Sequence, residues 1–183
     1  MSLTRCFIAL DLSREAINEI KNIQKVIGKK FLFTGKFTEP ENFHLTLKFL
    51  GEINDEQIEK VKKILAEIQY TVFTANLGVA GVFSKKIPKI LWIALHGAYD
   101  LQKVVDNSLR ELFPIEERFM GHITLARIKY ISEKKALTEY IQNLHGQSTF
   151  LVNKFYLKKS ELKSEGPIYY DLATYSLMDK ISK

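Results

Sequence analysis

Two segments of this chain carry one pattern. Residues 43–51 run Phe43, His44, Leu45, Thr46, Leu47, Lys48, Phe49, Leu50, Gly51, and residues 121–127 run Gly121, His122, Ile123, Thr124, Leu125, Ala126, Arg127. The shared frame is His, apolar, Thr, Leu, and it holds two of the four histidines in the chain. Apolar residues alternating with polar ones specify a half-buried strand, because successive side chains point to opposite faces. Phe43, Leu45, Leu47 and Phe49 are therefore expected on a core face, with His44, Thr46 and Lys48 on the other. Ile123 and Leu125 oppose His122 and Thr124 in the same way. One such segment alone reads as the exposed polar face of a strand. The second copy shifts the reading toward chemistry, since two imidazole–hydroxyl pairs facing each other make an acid–base site.

The surrounding pattern repeats as well. Residues 4–11 read as a buried strand. Ser13 is expected to cap a helix carrying Ala16, Ile20, Ile23 and Ile27, which Gly28 ends. A polar loop with Gly35 and Pro40 leads to the His44 strand. Asn54 and Gln57 form a capping-box pattern ahead of a helix with Ile58, Val61, Leu65 and Ile68 on one face. Residues 71–83 read as a strand with glycine kinks. The second half repeats this order, with a strand at 89–95 and a helix carrying Leu101, Val105, Leu109 and Leu112 that stops at Pro114. Then come the His122 strand, a helix with Leu137, Tyr140, Ile141 and Leu144, a strand at 148–158 and a last strand at 168–177. The two histidines stand 122 − 44 = 78 residues apart. This order points to an internal duplication, with pseudo-repeats at about 1–83 and 88–177 inside a single domain of 1–183.

Bulk properties narrow the class. A chain of 183 residues, 46% hydrophobic, can bury a sizeable core. It has no run of eighteen apolar residues and no signal-peptide pattern, so a soluble protein is expected. Cys6 is the only cysteine, which excludes an internal disulfide and a multi-cysteine zinc site and fits a reducing cytoplasm. The net charge of +6 favours an anionic partner, with nucleic acid the first candidate.

The side chains set the chemistry. An unperturbed imidazole titrates near pH ~6.5, so one of a pair can take a proton from water while the other gives one to a leaving oxygen. A threonine hydroxyl can donate to a phosphate oxygen without adding charge. Neither strand offers a second histidine or a nearby acidic ligand, and two histidines alone make a poor zinc site. The site is thus expected to be free of metal and cofactor. The residues alone do not order the two histidines as acid and base.

These segments resemble the 2H phosphoesterase superfamily, named for its two histidines, and within it the RNA 2′,3′-cyclic phosphodiesterases, historically called 2′-5′ RNA ligases. Four stretches carry the resemblance: Arg5 to Leu10, His44 to Glu52, Pro88 to Leu95 around Trp92, and Phe119 to Arg127. The chain departs from many relatives at Gly121, where they have proline. The resemblance implies a bilobal α+β fold, with two antiparallel sheets flanking a central cleft, helices on the outer faces and one His-x-Thr strand from each lobe. It further implies that segments from the two ends of the chain cross between lobes. It implies His44 as proton donor, His122 as proton acceptor, and Thr46, Thr124 and Arg127 as substrate-binding residues. The implied partner is RNA ending in a 2′,3′-cyclic phosphate, tRNA fragments among them. The implied product is a 2′-phosphate, with 2′-5′ ligation as a minor reverse activity, and the protein is expected to act as a monomer.

Strict alternation sets one of these residues apart. Arg127, five residues after His122, points away from it and reaches the cleft only if the strand bulges or ends first. Lys48 has the parity to serve as an electrostatic helper. Trp92, Phe119, Tyr169 and Tyr170 are candidates to stack on a base, although aromatic residues in strands are more often core. Lys158, Lys159 and Lys163 form a candidate basic loop for RNA backbone. His96 and His145 lack a threonine partner and are expected to be bystanders. Other 2H chemistry is an alternative, either 3′-5′ trimming of oligonucleotides or hydrolysis of a cyclic phosphate metabolite. A non-catalytic RNA-binding module is another.

Overall fold

The computed structural model describes residues 2–84, 87–164 and 166–179. Nine strands and four helices occur in the order β1 (Thr4–Asp11), α1 (Arg14–Gly28), β2 (Phe33–Phe37), β3 (His44–Ile53), α2 (Asp55–Ala66), β4 (Phe73–Phe83), β5 (Ile90–His96), α3 (Tyr99–Ser108), β6 (His122–Ile131), α4 (Lys134–Gln142), β7 (Thr149–Val152), β8 (Lys154–Lys163) and β9 (Gly166–Ser176) among the described residues. The strands form two antiparallel sheets, a four-stranded one in the order β3-β1-β8-β9 and a five-stranded one in the order β2-β6-β5-β4-β7. The α+β class with paired antiparallel sheets is as expected.

Local signals place the helices well. The Ser13 hydroxyl accepts from the Ala16 N–H, and Ala16, Ile20 and Ile27 of α1 are buried. Asn54 and Gln57 exchange both bonds of a capping box ahead of α2, a device whose loss typically costs ~1 kcal/mol. Helix α3 ends at Ser108, and the chain then turns, leaving Leu112 partly exposed where the apolar spacing predicts a further helical turn. The backbone of Leu112 and Phe113 instead bonds back to Leu109 ahead of Pro114.

Two expectations need correction. The loop after Gly28 contains a strand, β2, which pairs with β6 at the edge of the five-stranded sheet. Its signal is Phe33 and Phe37 flanking Gly35. Gly35 sits there because a Cβ would strike the Arg127 carbonyl oxygen across the pair. The single strand expected at 148–158 is two. β7 joins β4 in the five-stranded sheet, whereas β8 joins β1 and β9 in the other, with the break at Asn153. An uninterrupted apolar alternation cannot report a change of sheet.

The two halves interleave. β1 and β3 of the first half share a sheet with β8 and β9, and β2 and β4 share the other with β5, β6 and β7. One contiguous hydrophobic core runs through Ile8, Leu10, Leu45 and Leu47 on one side and Leu91, Ile93, Ile123 and Leu125 on the other. No helix among the described residues is long and apolar enough to cross a membrane.

Candidate active site

β3 and β6 face each other across a cleft of about 440 Å³ lined by His44, Thr46, His122, Thr124 and Arg127. That volume suits a nucleotide-sized ligand. Arg5 also lines the cleft, as do Lys36 and Glu39, which pair at 2.7 Å, so Arg5 and Arg127 give it positive potential for an anion.

Each imidazole is held in the same way. His44 Nδ1 lies 2.8 Å from the Asn42 carbonyl, and His122 Nδ1 lies 2.7 Å from the Met120 carbonyl. A carbonyl only accepts, so each Nδ1 carries a hydrogen and each Nε2 is left to the cleft. His44 Nε2 lies 3.1 Å from Thr46 Oγ1, so the hydroxyl donates to it when the ring is neutral. Rings pack on both imidazoles. Phe7 and Tyr169 each lie 5.0 Å from His44, and Phe83 lies 4.8 Å from His122. Burial lowers the His44 pKa below the ordinary range, and the positive charges of Lys158 and His122 push the same way; the bond to Asn42 and the charge of Asp11 oppose them. Both rings line the one cleft.

Strict alternation first fails at the same place in both strands, and that failure builds the site. In β3, Lys48 pairs with Ile8 and Thr46 with Ala9, so Leu47 is an extra residue. In β6, Ala126 pairs with Leu91 and Thr124 with Trp92, so Leu125 is extra. Each bulge falls three residues after its histidine and flips the parity of the next residues, up to a second irregularity at Leu50 in β3 and at Lys129 in β6. Arg127 is thereby turned onto the cleft. Phe49, at the matching place in β3, lines the cleft with 72% of its surface exposed. Alternation places it in the core and cannot reveal the bulge.

The same flip overturns the reading of Lys48. Its side chain is buried on the core face, at 5% exposure, and forms an ion pair with buried Asp106 of α3. Lys48 Nζ also donates to the Pro114 carbonyl at 2.6 Å, and Asp106 Oδ2 accepts from the Glu116 N–H at 2.7 Å. Lys48 is therefore no electrostatic helper of the cleft.

The remaining candidates separate. Tyr169 lines the cleft, and burial raises its phenol pKa. Trp92, Phe119 and Tyr170 do not line it. Trp92 packs on Phe83 and Phe119 on Tyr99, while Tyr170 lies under the Lys159 ammonium. Lys158 is buried at 8% exposure between Asp11 at 3.0 Å and Asp171 at 2.6 Å. Burial works against its charge, and the two carboxylates outweigh it. Lys159 and Lys163 both pair with Glu161. The expected basic loop is thus part of strand β8, paired with β9, and its charges are largely neutralised. His96 and His145 are exposed and do not line the cleft. Gly121 holds its place because a Cβ would strike the Leu95 carbonyl oxygen, beside the bond from Leu95 N–H to Gly121 O. Sequence reasoning misses Asn42, Phe7 and Phe83. Only Asn42, two residues before His44, is within its reach, by asking what orients the ring.

Two interleaved antiparallel sheets with one His-x-Thr strand each define a phosphoesterase of the two-histidine class. The chain belongs to the LigT-like phosphoesterase family, matching the family described as "LigT like Phosphoesterase" over residues 10–92 and 96–169. Among curated relatives, an Aquifex aeolicus protein named RNA 2′,3′-cyclic phosphodiesterase is 34% identical over 184 residues, covering 92% of this chain and 95% of that one. A Methanocaldococcus jannaschii protein of the same name is 31% identical, covering 90% and 96%. Among solved structures, a Thermus thermophilus protein superposes with a TM-score of 0.82 at 25% identity, covering 94% and 97%. Escherichia coli LigT complexed with 3′-AMP superposes with a TM-score of 0.76 at 25% identity, covering 97% and 99%.

Proposed function

We propose that this protein hydrolyses RNA 2′,3′-cyclic phosphate ends to 2′-phosphates without a metal ion. The observation that carries this reading is the pair of imidazoles, each tied at Nδ1 to a backbone carbonyl and each leaving Nε2 to one shared cleft. The water oxygen attacks phosphorus and its proton passes to His122 Nε2. The bond from phosphorus to O3′ breaks, and O3′ takes the proton held on His44 Nε2. The phosphate stays on O2′. Burial favours the neutral form of His44 in the free protein, and the negative charge of a bound phosphate opposes this by favouring the protonated donor. Thr46 and Thr124 donate to the non-bridging oxygens, with the Thr46 hydroxyl leaving His44 to do so. Arg127 adds a guanidinium to the phosphate, and exposed Phe49 offers a face to a base.

The relatives' names support an RNA cyclic phosphate as substrate, and the 3′-AMP complex of Escherichia coli LigT supports a nucleotide in the cleft. The reverse reaction, with a 5′-hydroxyl in place of water, joins RNA ends by a 2′-5′ bond as a minor activity. Natural substrates on this reading include tRNA fragments, met by a monomer in the cytoplasm.

The test is a short RNA ending in a 2′,3′-cyclic phosphate, incubated with protein exhaustively treated with EDTA. A 2′-phosphate product at undiminished rate is expected. Activity lost to EDTA and restored by zinc or manganese overturns the metal-free mechanism. A 3′-phosphate product overturns the choice of bond, and absence of turnover overturns the activity.

A further inference from the structure

We propose that Gln24, on α1 and remote in sequence from both histidine strands, is a positioning residue for Arg127. A β-bulge leaves its extra residue without ladder partners, and a bulge that relaxes by one position returns every later side chain of the strand to the opposite face. In β6 the extra residue is Leu125, and its carbonyl is not left open. It accepts from the Thr38 N–H at 2.9 Å and from Gln24 Nε2 at 2.9 Å. The same Gln24 amide also donates to the Thr38 carbonyl at 2.9 Å. One side-chain amide therefore clamps the bulged residue of β6 to the residue just past the end of β2. Without the bulge, alternation from His122 would turn Arg127 away from the cleft.

The matching bulge in β3 is braced from the other half of the chain. Lys48, just past the extra residue Leu47, is held on the core face by Asp106 of α3. Each half thus contributes a helix that holds the bulge of the other half's histidine strand. Gln24 is half-buried at the helix surface and does not line the cleft, so it acts through Leu125 and not on the substrate.

The kinetic arm of the test rests on the proposed hydrolysis, and an exchange arm does not. Gln24→Met keeps the side-chain length and removes both donors. Relative to wild type, it is expected to speed hydrogen exchange at the amides of residues 124–128 and to lower kcat/KM on the cyclic-phosphate RNA about tenfold. In an Arg127→Ala background the same change is expected to cost less than about twofold, because the guanidinium it positions is already gone. Gln24→Lys, which restores a donor, is expected to recover most of kcat/KM. Effects of Gln24→Met and Arg127→Ala that simply multiply overturn the proposal. So does a lowered melting temperature with unchanged kcat/KM, and so does unchanged amide exchange at 124–128. A wild-type protein inert on the RNA would sink the hydrolysis reading and leave the exchange arm to decide the positioning role.

Discussion

His44 and His122 share a frame but not an environment. Two rings, Phe7 and Tyr169, crowd His44, and burial lowers its pKa. The folded protein therefore binds a proton at this ring less readily than the unfolded chain does, and stability must rise with pH across the interval. His44 contributes stability that is present above the unfolded value of ~6.5 and is lost as pH falls from there through its lowered folded value. Urea titrations at a series of pH values should show a shallower acid-side loss in His44→Asn than in wild type, and identical slopes would refute the assignment. Catalysis gives a second test. His44→Ala and His122→Ala are each expected to lower kcat by about 10²–10⁴-fold, the usual contribution of a general acid or base. The double variant should be little worse than the poorer single one, since the two rings act as a unit. Near-wild-type turnover in either single variant would end the two-histidine mechanism.

At the scale of the element, the two bulges decide what is legible in the sequence. The His-x-Thr pairs lie before Leu47 and Leu125, where alternation still holds, and so the pattern locates them correctly. Phe49, Lys48 and Arg127 lie after the bulges, where parity is inverted, and so alternation assigns each to the wrong face. The resemblance puts Arg127 at the substrate, and the bulge is the physical reason it lines the cleft. Helices are legible because Ser13 and Asn54 announce their caps. β2 is not, because five residues with glycine at the centre carry little apolar signal. The Lys48–Asp106 pair gives this scale its own prediction. Asp106→Leu leaves a buried ammonium without its counter-charge and is expected to cost about 3–5 kcal/mol. Lys48→Met added to Asp106→Leu replaces the pair with apolar groups and is expected to recover most of that loss. Chemical denaturation of the four proteins completes the cycle. A double variant no more stable than Asp106→Leu alone would show that the loop bonds to Pro114 and Glu116, not the charges, carry the effect.

Across the whole molecule, the interleaving of strands constrains how the protein can come apart. β1 lies between β3 of its own half and β8 of the other, and β6 lies between β2 of the first half and β5 of its own. Neither half can complete a sheet alone, and the core passes through both sheets without interruption. The helix braces add cross-links of the same kind, Gln24 reaching from α1 to β6 and Asp106 from α3 to β3. Loss of one sheet therefore removes strands, core contacts and braces from the other, and unfolding should be all-or-none. The chain is suited to the test because Trp92, its only tryptophan, lies on β5 and reports the five-stranded sheet. Amide exchange along β1 reports the four-stranded sheet. In urea, Trp92 fluorescence and the far-ultraviolet circular dichroism of the whole chain should share one midpoint, and β1 and β6 amides should exchange through openings of equal free energy. Two separated midpoints, or β1 amides protected after Trp92 has become exposed, would show that the sheets are independent units and that the cleft is an interface between them. Coincident transitions would mean that the two histidines are held across one cleft by the same core that holds both sheets together.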